Sequence, residues 1–111
     1  MTENHFPKHA RAVVVGGGVI GCSIAYHLAK LGWDDVVLLE RKQISCGTTW
    51  HAAGLITTLR DTEAQTRMAQ YSLQLYSDLE AETGQSTGFI NCGSVQLAMS
   101  AEKAEEMRRG C

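Results

Sequence analysis

Three glycines, an acid and a histidine carry the chemistry that is legible in these 111 residues. Gly16, Gly18 and Gly21 stand in A-V-V-V-G-G-G-V-I-G, residues 12–21, and fit G-x-G-x-x-G. Each glycine answers a separate need of a bound pyrophosphate. Gly16 lets the chain leave a strand in a tight turn. Gly18, lacking a Cβ, lets backbone N–H groups approach phosphate oxygens, and Gly21 lets a helix lie close on the strand. The anion would then sit at a helix N-terminus, where free N–H groups and the positive dipole end favour it. Glu40 follows Gly21 by 19 residues, near the spacing at which an acid accepts from ribose hydroxyls. An acid at that point disfavours a 2′-phosphate, so the expected ligand is FAD or NAD(H) rather than NADP(H). Arg41, beside it, could stack on or bond to the adenosine half.

His51 is the third element of this chemistry. It lies in S-C-G-T-T-W-H-A-A-G-L, within the weakly periodic stretch 43–59. Gly47 and Gly54 allow close backbone approach, and Thr48 and Thr49 offer hydroxyls. Trp50 on one side, and Ala52 and Ala53 on the other, leave room around the imidazole. On residue type alone, His51 is either a ligand contact or a hydrogen-bonded structural histidine.

These residues need elements to position them. The β-branched run Val13–Val15 predicts a strand ended by the glycines. Ile20, Ile24, Leu28 and Leu31 share one helical face, so a helix is expected over 19–31, stopped by Gly32. Trp33, Asp34 and Asp35 make the return loop. The continuous apolar run Val36–Leu39 then reads as a strand covered on both faces, ending at Glu40. The His51 loop leaves the carboxyl end of this second strand, where open α/β sheets bind ligands. Beyond it, Ala64, Met68, Tyr71, Leu75 and Leu79 recur at helical spacing, predicting a helix over 61–83 with that face in a core. Thr62 is its expected cap and Gly84 its end. Phe89–Ile90 and Ser94–Met99 read as two short strands. A last helix starts near Ser100, with acids first and Arg108 and Arg109 at its end.

Composition excludes several classes. A formal charge of −2 with scattered Lys and Arg gives no basis for nucleic-acid binding. No window approaches the ~18 apolar residues of a membrane span. The four cysteines form no C-x-x-C pair, so neither a zinc site nor a disulfide framework is expected, and His5 and His9 read as a solvated terminus. The domain reading is a disordered lead, 1–10, and a partial nucleotide-binding domain, 11–111. Without an apolar signal segment, the expected location is the cytoplasm.

With the glycines, Glu40 and the His51 loop in register, the chain resembles the N-terminal portion of FAD-dependent amine dehydrogenases and oxidases of the D-amino-acid-oxidase-like class. It is most similar to the sarcosine and dimethylglycine dehydrogenases, from about Lys8 onward. The most specific match is G-T-T-W-H-A-A-G-L, Gly47 to Leu55. The resemblance implies an α/β fold, the Rossmann-type FAD-binding βαβ start of a larger glutathione-reductase-like flavoprotein fold, here truncated. It implies that Val19 and Ile20 lie against the phosphates and that Glu40 and Arg41 hold the adenosine end. Gly47, Thr48, Thr49, Trp50, His51, Ala52, Ala53, Gly54 and Leu55 would wrap the pyrophosphate and isoalloxazine, with His51 the covalent attachment point of the flavin. The implied reaction is oxidation of a small N-methylated amino acid, with no electron acceptor assigned. Tetrahydrofolate would belong only to a full-length protein, and the catalytic and substrate-binding groups to parts beyond Cys111. The alternatives are a truncated, non-catalytic fragment, or a silent regulatory relative that keeps part of the nucleotide-binding fold. A free-standing nucleotide-binding module is a third reading.

Overall fold

The computed structural model of the protein describes residues 7–110. The expected lead 1–10 lies mostly outside them, as do His5 and Cys111. The chain divides into two units, Met1–Ala53 and Gly54–Cys111.

The first unit is built as β1 (Ala12–Val15), α1 (Val19–Lys30) and β2 (Val36–Leu39). The strands are parallel, with Ala12 opposite Val36 and Val15 opposite Leu39. The Gly16 N–H donates to the Leu39 carbonyl at 2.8 Å, carrying the ladder one residue into the turn. Parallel strands need a crossover, and α1 supplies it. Gly21 is buried where α1 meets β1. A Cβ on it would overlap the Gly16 carbonyl oxygen, so glycine is required there by close approach. α1 stops at Leu31, and Gly32 turns the chain with φ +81°. His27, half-buried in its last turn, donates from Nδ1 to the Ser23 carbonyl at 2.7 Å.

Two expectations about burial are corrected here. Of the predicted α1 face, only Leu28 is half-buried, whereas Ile20 and Leu31 are three-quarters exposed. α1 approaches β1 through Gly21 instead, whose Cβ position lies 3.4 Å from the Val14 side chain, and the nearby Cys22 and Ala25 are half-buried. The small residues set the approach, and the large ones are left beside it. β2 is half-buried rather than covered on both faces, with Leu39 exposed, because one helix covers one face of a two-stranded sheet.

The second unit holds α2 (Glu63–Thr83) and α3 (Ala101–Gly110). Thr62 caps α2 by accepting from the Gln65 N–H at 3.3 Å, and Gly84 ends it in the left-handed conformation, φ 73°. The half-buried stripe of α2 runs through Ala69, Leu73, Tyr76 and Leu79. The predicted face is met in part: Leu75 and Leu79 are half-buried, whereas Ala64, Met68 and Tyr71 are exposed. Tyr76 turns toward Phe89, ring centroids 6.3 Å apart. The two strands expected at 89–90 and 94–99 do not form. Alternation specifies two faces but supplies no partner for the backbone, and Val95, Leu97 and Met99 are each at least four-fifths exposed. Among the described residues, no hydrophobic side chain is fully buried. No described helix is long and apolar enough to cross a membrane.

Candidate functional site

A cleft of about 740 Å³ opens in the first unit at the carboxyl ends of β1 and β2. Its floor is the turn Gly16–Gly18, reached because Gly16 adopts φ +106°, a conformation that side chains oppose. Gly18 is the N-cap of α1 and has no side chain to close it.

Glu40 leaves the end of β2 and reaches back across this turn. One carboxylate oxygen accepts the Gly17 N–H at 2.8 Å, and the other accepts the Lys42 N–H at 2.9 Å. These two bonds, Gly17 first, hold the carboxyl below its usual value. Glu40 is therefore anionic at neutral pH, and each oxygen keeps a lone pair for a further donor.

The loop after β2 folds over the same turn. The Ser45 N–H donates to the Gly17 carbonyl at 2.9 Å. Ser45 has φ 67°, the one non-glycine with positive φ among the described residues. A short 3₁₀ turn, Thr48–His51, follows. Its Thr49 hydroxyl accepts the Val19 N–H at 2.9 Å and so satisfies the first free donor of α1. His51 sits at the end of this turn with Nδ1 3.0 Å from the Gly47 carbonyl oxygen. A carbonyl only accepts, so Nδ1 carries a proton, and in the neutral ring Nε2 then holds the lone pair.

Gly16, Gly18, Val19, Ile20, Gly21, Glu40, Arg41, Gly47, Thr48, Thr49 and Ala52 come together around the cleft. Trp50, His51 and Ala53 belong to the same unit and are exposed, without lining it. Gly54 and Leu55 begin the second unit, where they border a separate groove of about 360 Å³ with Leu73 and Phe89.

Two contributors, Gly17 and Ser45, lie outside the sequence expectation, and Thr49 acts differently from it. The fingerprint spacing gives Gly17 no role, yet its N–H holds Glu40. A Cβ there would stand 3.1 Å from the Glu40 Cβ. The run of three glycines was the available signal. Ser45 carried none, since a glycine or asparagine would be expected at positive φ. Thr49 was read as a donor, whereas its oxygen accepts from a backbone group 30 residues away.

The residues present fit a dinucleotide. A glycine cradle lies at a helix N-terminus, an anionic carboxylate stands at the adjacent strand end, and the volume is that of a ligand site. Among the described residues, no three His, Cys, Asp or Glu converge as metal ligands.

Comparison with known proteins agrees with this chemistry. Residues 11–111 match the family described as FAD dependent oxidoreductase, and the chain belongs to that family. Its fold is the start of the FAD-binding fold of that class. A 4-methylaminobutanoate oxidase (formaldehyde-forming) of Paenarthrobacter nicotinovorans is 48% identical over 96% of this chain and 13% of its own length. The mitochondrial pyruvate dehydrogenase phosphatase regulatory subunit of Mus musculus is 43% identical over 93% of this chain and 12% of its own. The mitochondrial dimethylglycine dehydrogenase of Homo sapiens is 43% identical over 96% and 12%. Among solved structures, an L-proline dehydrogenase from P. horikoshii has a TM-score of 0.83 at 30% identity, covering 95% of this chain and 27% of that one. The chain thus spans about an eighth of the curated relatives' length.

Proposed function

We propose that this chain is the flavin-binding start of an oxidoreductase acting on N-methylated amino acids. The observation that carries the reading is the Glu40 carboxylate at 2.8 Å from the Gly17 N–H, which joins the acid and the glycine turn in one cleft. In this reading, the N–H groups of Gly18, Ile20 and Gly21 receive the pyrophosphate of FAD. Glu40 and Arg41 take the adenosine ribose, and the residues from Gly47 onward face the flavin half. FAD supplies the redox chemistry, taking a hydride from the carbon next to the substrate nitrogen. The substrate class rests on the names of the relatives. No residue here is assigned to the substrate, to tetrahydrofolate or to an electron acceptor.

His51 is the proposed point of covalent attachment. In this reading its Nε2 would hold the flavin by a bond to the 8-methyl carbon, the two hydrogens lost passing to dioxygen as hydrogen peroxide. The hydrogen bond to Gly47 supports Nε2 as the attacking atom, because it occupies Nδ1 with a proton.

The test is equilibrium binding, followed by flavin fluorescence, with NAD and NADP as competitors. FAD should bind, and neither competitor should displace it at equal concentration. Displacement by NADP, or no uptake of FAD, would overturn the reading. In any longer protein that contains this chain, sarcosine, dimethylglycine or 4-methylaminobutanoate should bleach the flavin under anaerobic conditions, and no bleaching by any N-methyl amine there would overturn the substrate class.

One observation favours a second reading. A relative named as a regulatory subunit is 43% identical over nearly the whole chain, so a silent regulatory role is the alternative. Flavin that binds but is not reduced by any amine in a longer protein containing this chain would support it. The expected cytoplasmic location stands beside relatives named as mitochondrial, and cell fractionation decides it.

A further inference from the structure

We infer that Thr49 is a positioning residue, tying the turn that carries His51 to the N-terminus of α1 so that cofactor seating and attachment are coupled. The inference rests on the FAD reading above. Its basis is the 2.9 Å bond from the Val19 N–H to the Thr49 hydroxyl oxygen. α1 lacks a cap of its own: Gly18 has no side chain, and the first turn has no acid. Thr49 supplies the missing acceptor from 30 residues away.

Two further contacts make this tie specific. Thr49 and His51 share one 3₁₀ turn, stiffened by the Trp50 N–H on the Gly47 carbonyl (3.1 Å) and the Ala52 N–H on the Thr49 carbonyl (3.2 Å). His51 is held to the start of the same turn through Gly47. Fixing Thr49 on α1 therefore fixes His51 relative to the glycine cradle. The fit is close, since a Cβ on Gly18 would stand 3.1 Å from the Thr49 hydroxyl oxygen. A hydroxyl that accepts from Val19 still has its own proton to donate, and phosphate oxygens are the acceptors expected at this helix end. Valine has the same shape as threonine but lacks both functions.

The experiment compares wild type, Thr49→Val and Thr49→Ser. Amide exchange at Val19 is read first, without FAD. Thr49→Val should speed it about tenfold and Thr49→Ser should return it near wild type, as expected for one lost and one restored hydrogen bond. Unchanged exchange in Thr49→Val would overturn the tie. The rate at which FAD becomes acid-stable is read second. It should fall about tenfold in Thr49→Val, with Thr49→Ser recovering it. Altered exchange with an unaltered attachment rate would overturn the positioning role. Wild type that takes up no acid-stable flavin would instead count against His51 as the attachment point. The Thr49 inference is then decided by reversible FAD affinity, which must fall in Thr49→Val and recover in Thr49→Ser. Wild type that takes up no FAD at all would overturn both readings.

Discussion

At the scale of residues, the site is a small set of groups holding one another in place. Glu40 accepts from Gly17 and Lys42, and this lowers its carboxyl pKa. A group titrating lower when folded stabilises the fold fully above its unfolded value. That contribution disappears as pH falls through the depressed folded value. Glu40→Gln should therefore lower the melting temperature at neutral pH. The gap to wild type should close in acid, below the usual carboxyl value of 4.5. A gap independent of pH in thermal melts would contradict this. Two glycines, Gly17 in the turn and Gly21 in α1, separate site from fold. In Gly17→Ala the new methyl presses on Cβ and Cγ of Glu40, which must give by a few tenths of an ångström. FAD affinity should drop about tenfold while circular dichroism keeps the helical signal, on the scale of mild overpacking. In Gly21→Ala the methyl meets the Gly16 carbonyl, which is backbone. The loss should be about 3 kcal/mol or more, seen as loss of the cooperative melt.

At the scale of elements, legibility tracked how local the cause was. β1, α1 and β2 fall within a residue of their expected ends because glycine turns and short apolar runs are local signals. Thr62 and Gly84 mark α2 for the same reason. Thr62→Ala should remove about 1 kcal/mol from α2, the usual contribution of such a cap. Helical circular dichroism against urea checks this, and an unchanged midpoint would contradict it. What failed was non-local. The alternation at 94–99 indicates a face but not a neighbouring strand, and none forms. The half-buried side of α2 includes Tyr76, which meets Phe89, a contact that helical spacing alone does not encode. The glycine–Glu40 half of the site was legible from spacing. The Thr49–Val19 and Ser45–Gly17 bonds were not, because backbone partners leave no mark in a sequence pattern.

At the scale of the whole molecule, apolar surface is the dominant fact. Val13, Val15, Ile20 and Leu31 are all more than half exposed, although 44% of the chain is hydrophobic. β1 also has an open edge. Ala12 and Gly16 donate toward β2, so the N–H groups of Val13 and Val15 point the other way. An open apolar edge is prone to pair with other chains. Sedimentation velocity should show association that grows with concentration, and Val15→Lys should reduce it. A monomer at all concentrations would contradict this reading. The chain spans about an eighth of its curated relatives, so activity in solution tests more than its own residues. Cofactor attachment tests those residues directly. The decisive measurement is the intact mass of the chain after incubation with FAD in air, beside His51→Ala. The account predicts a gain of one FAD less two hydrogens in wild type and none in His51→Ala. An unmodified wild type, or the same gain in both, would contradict it.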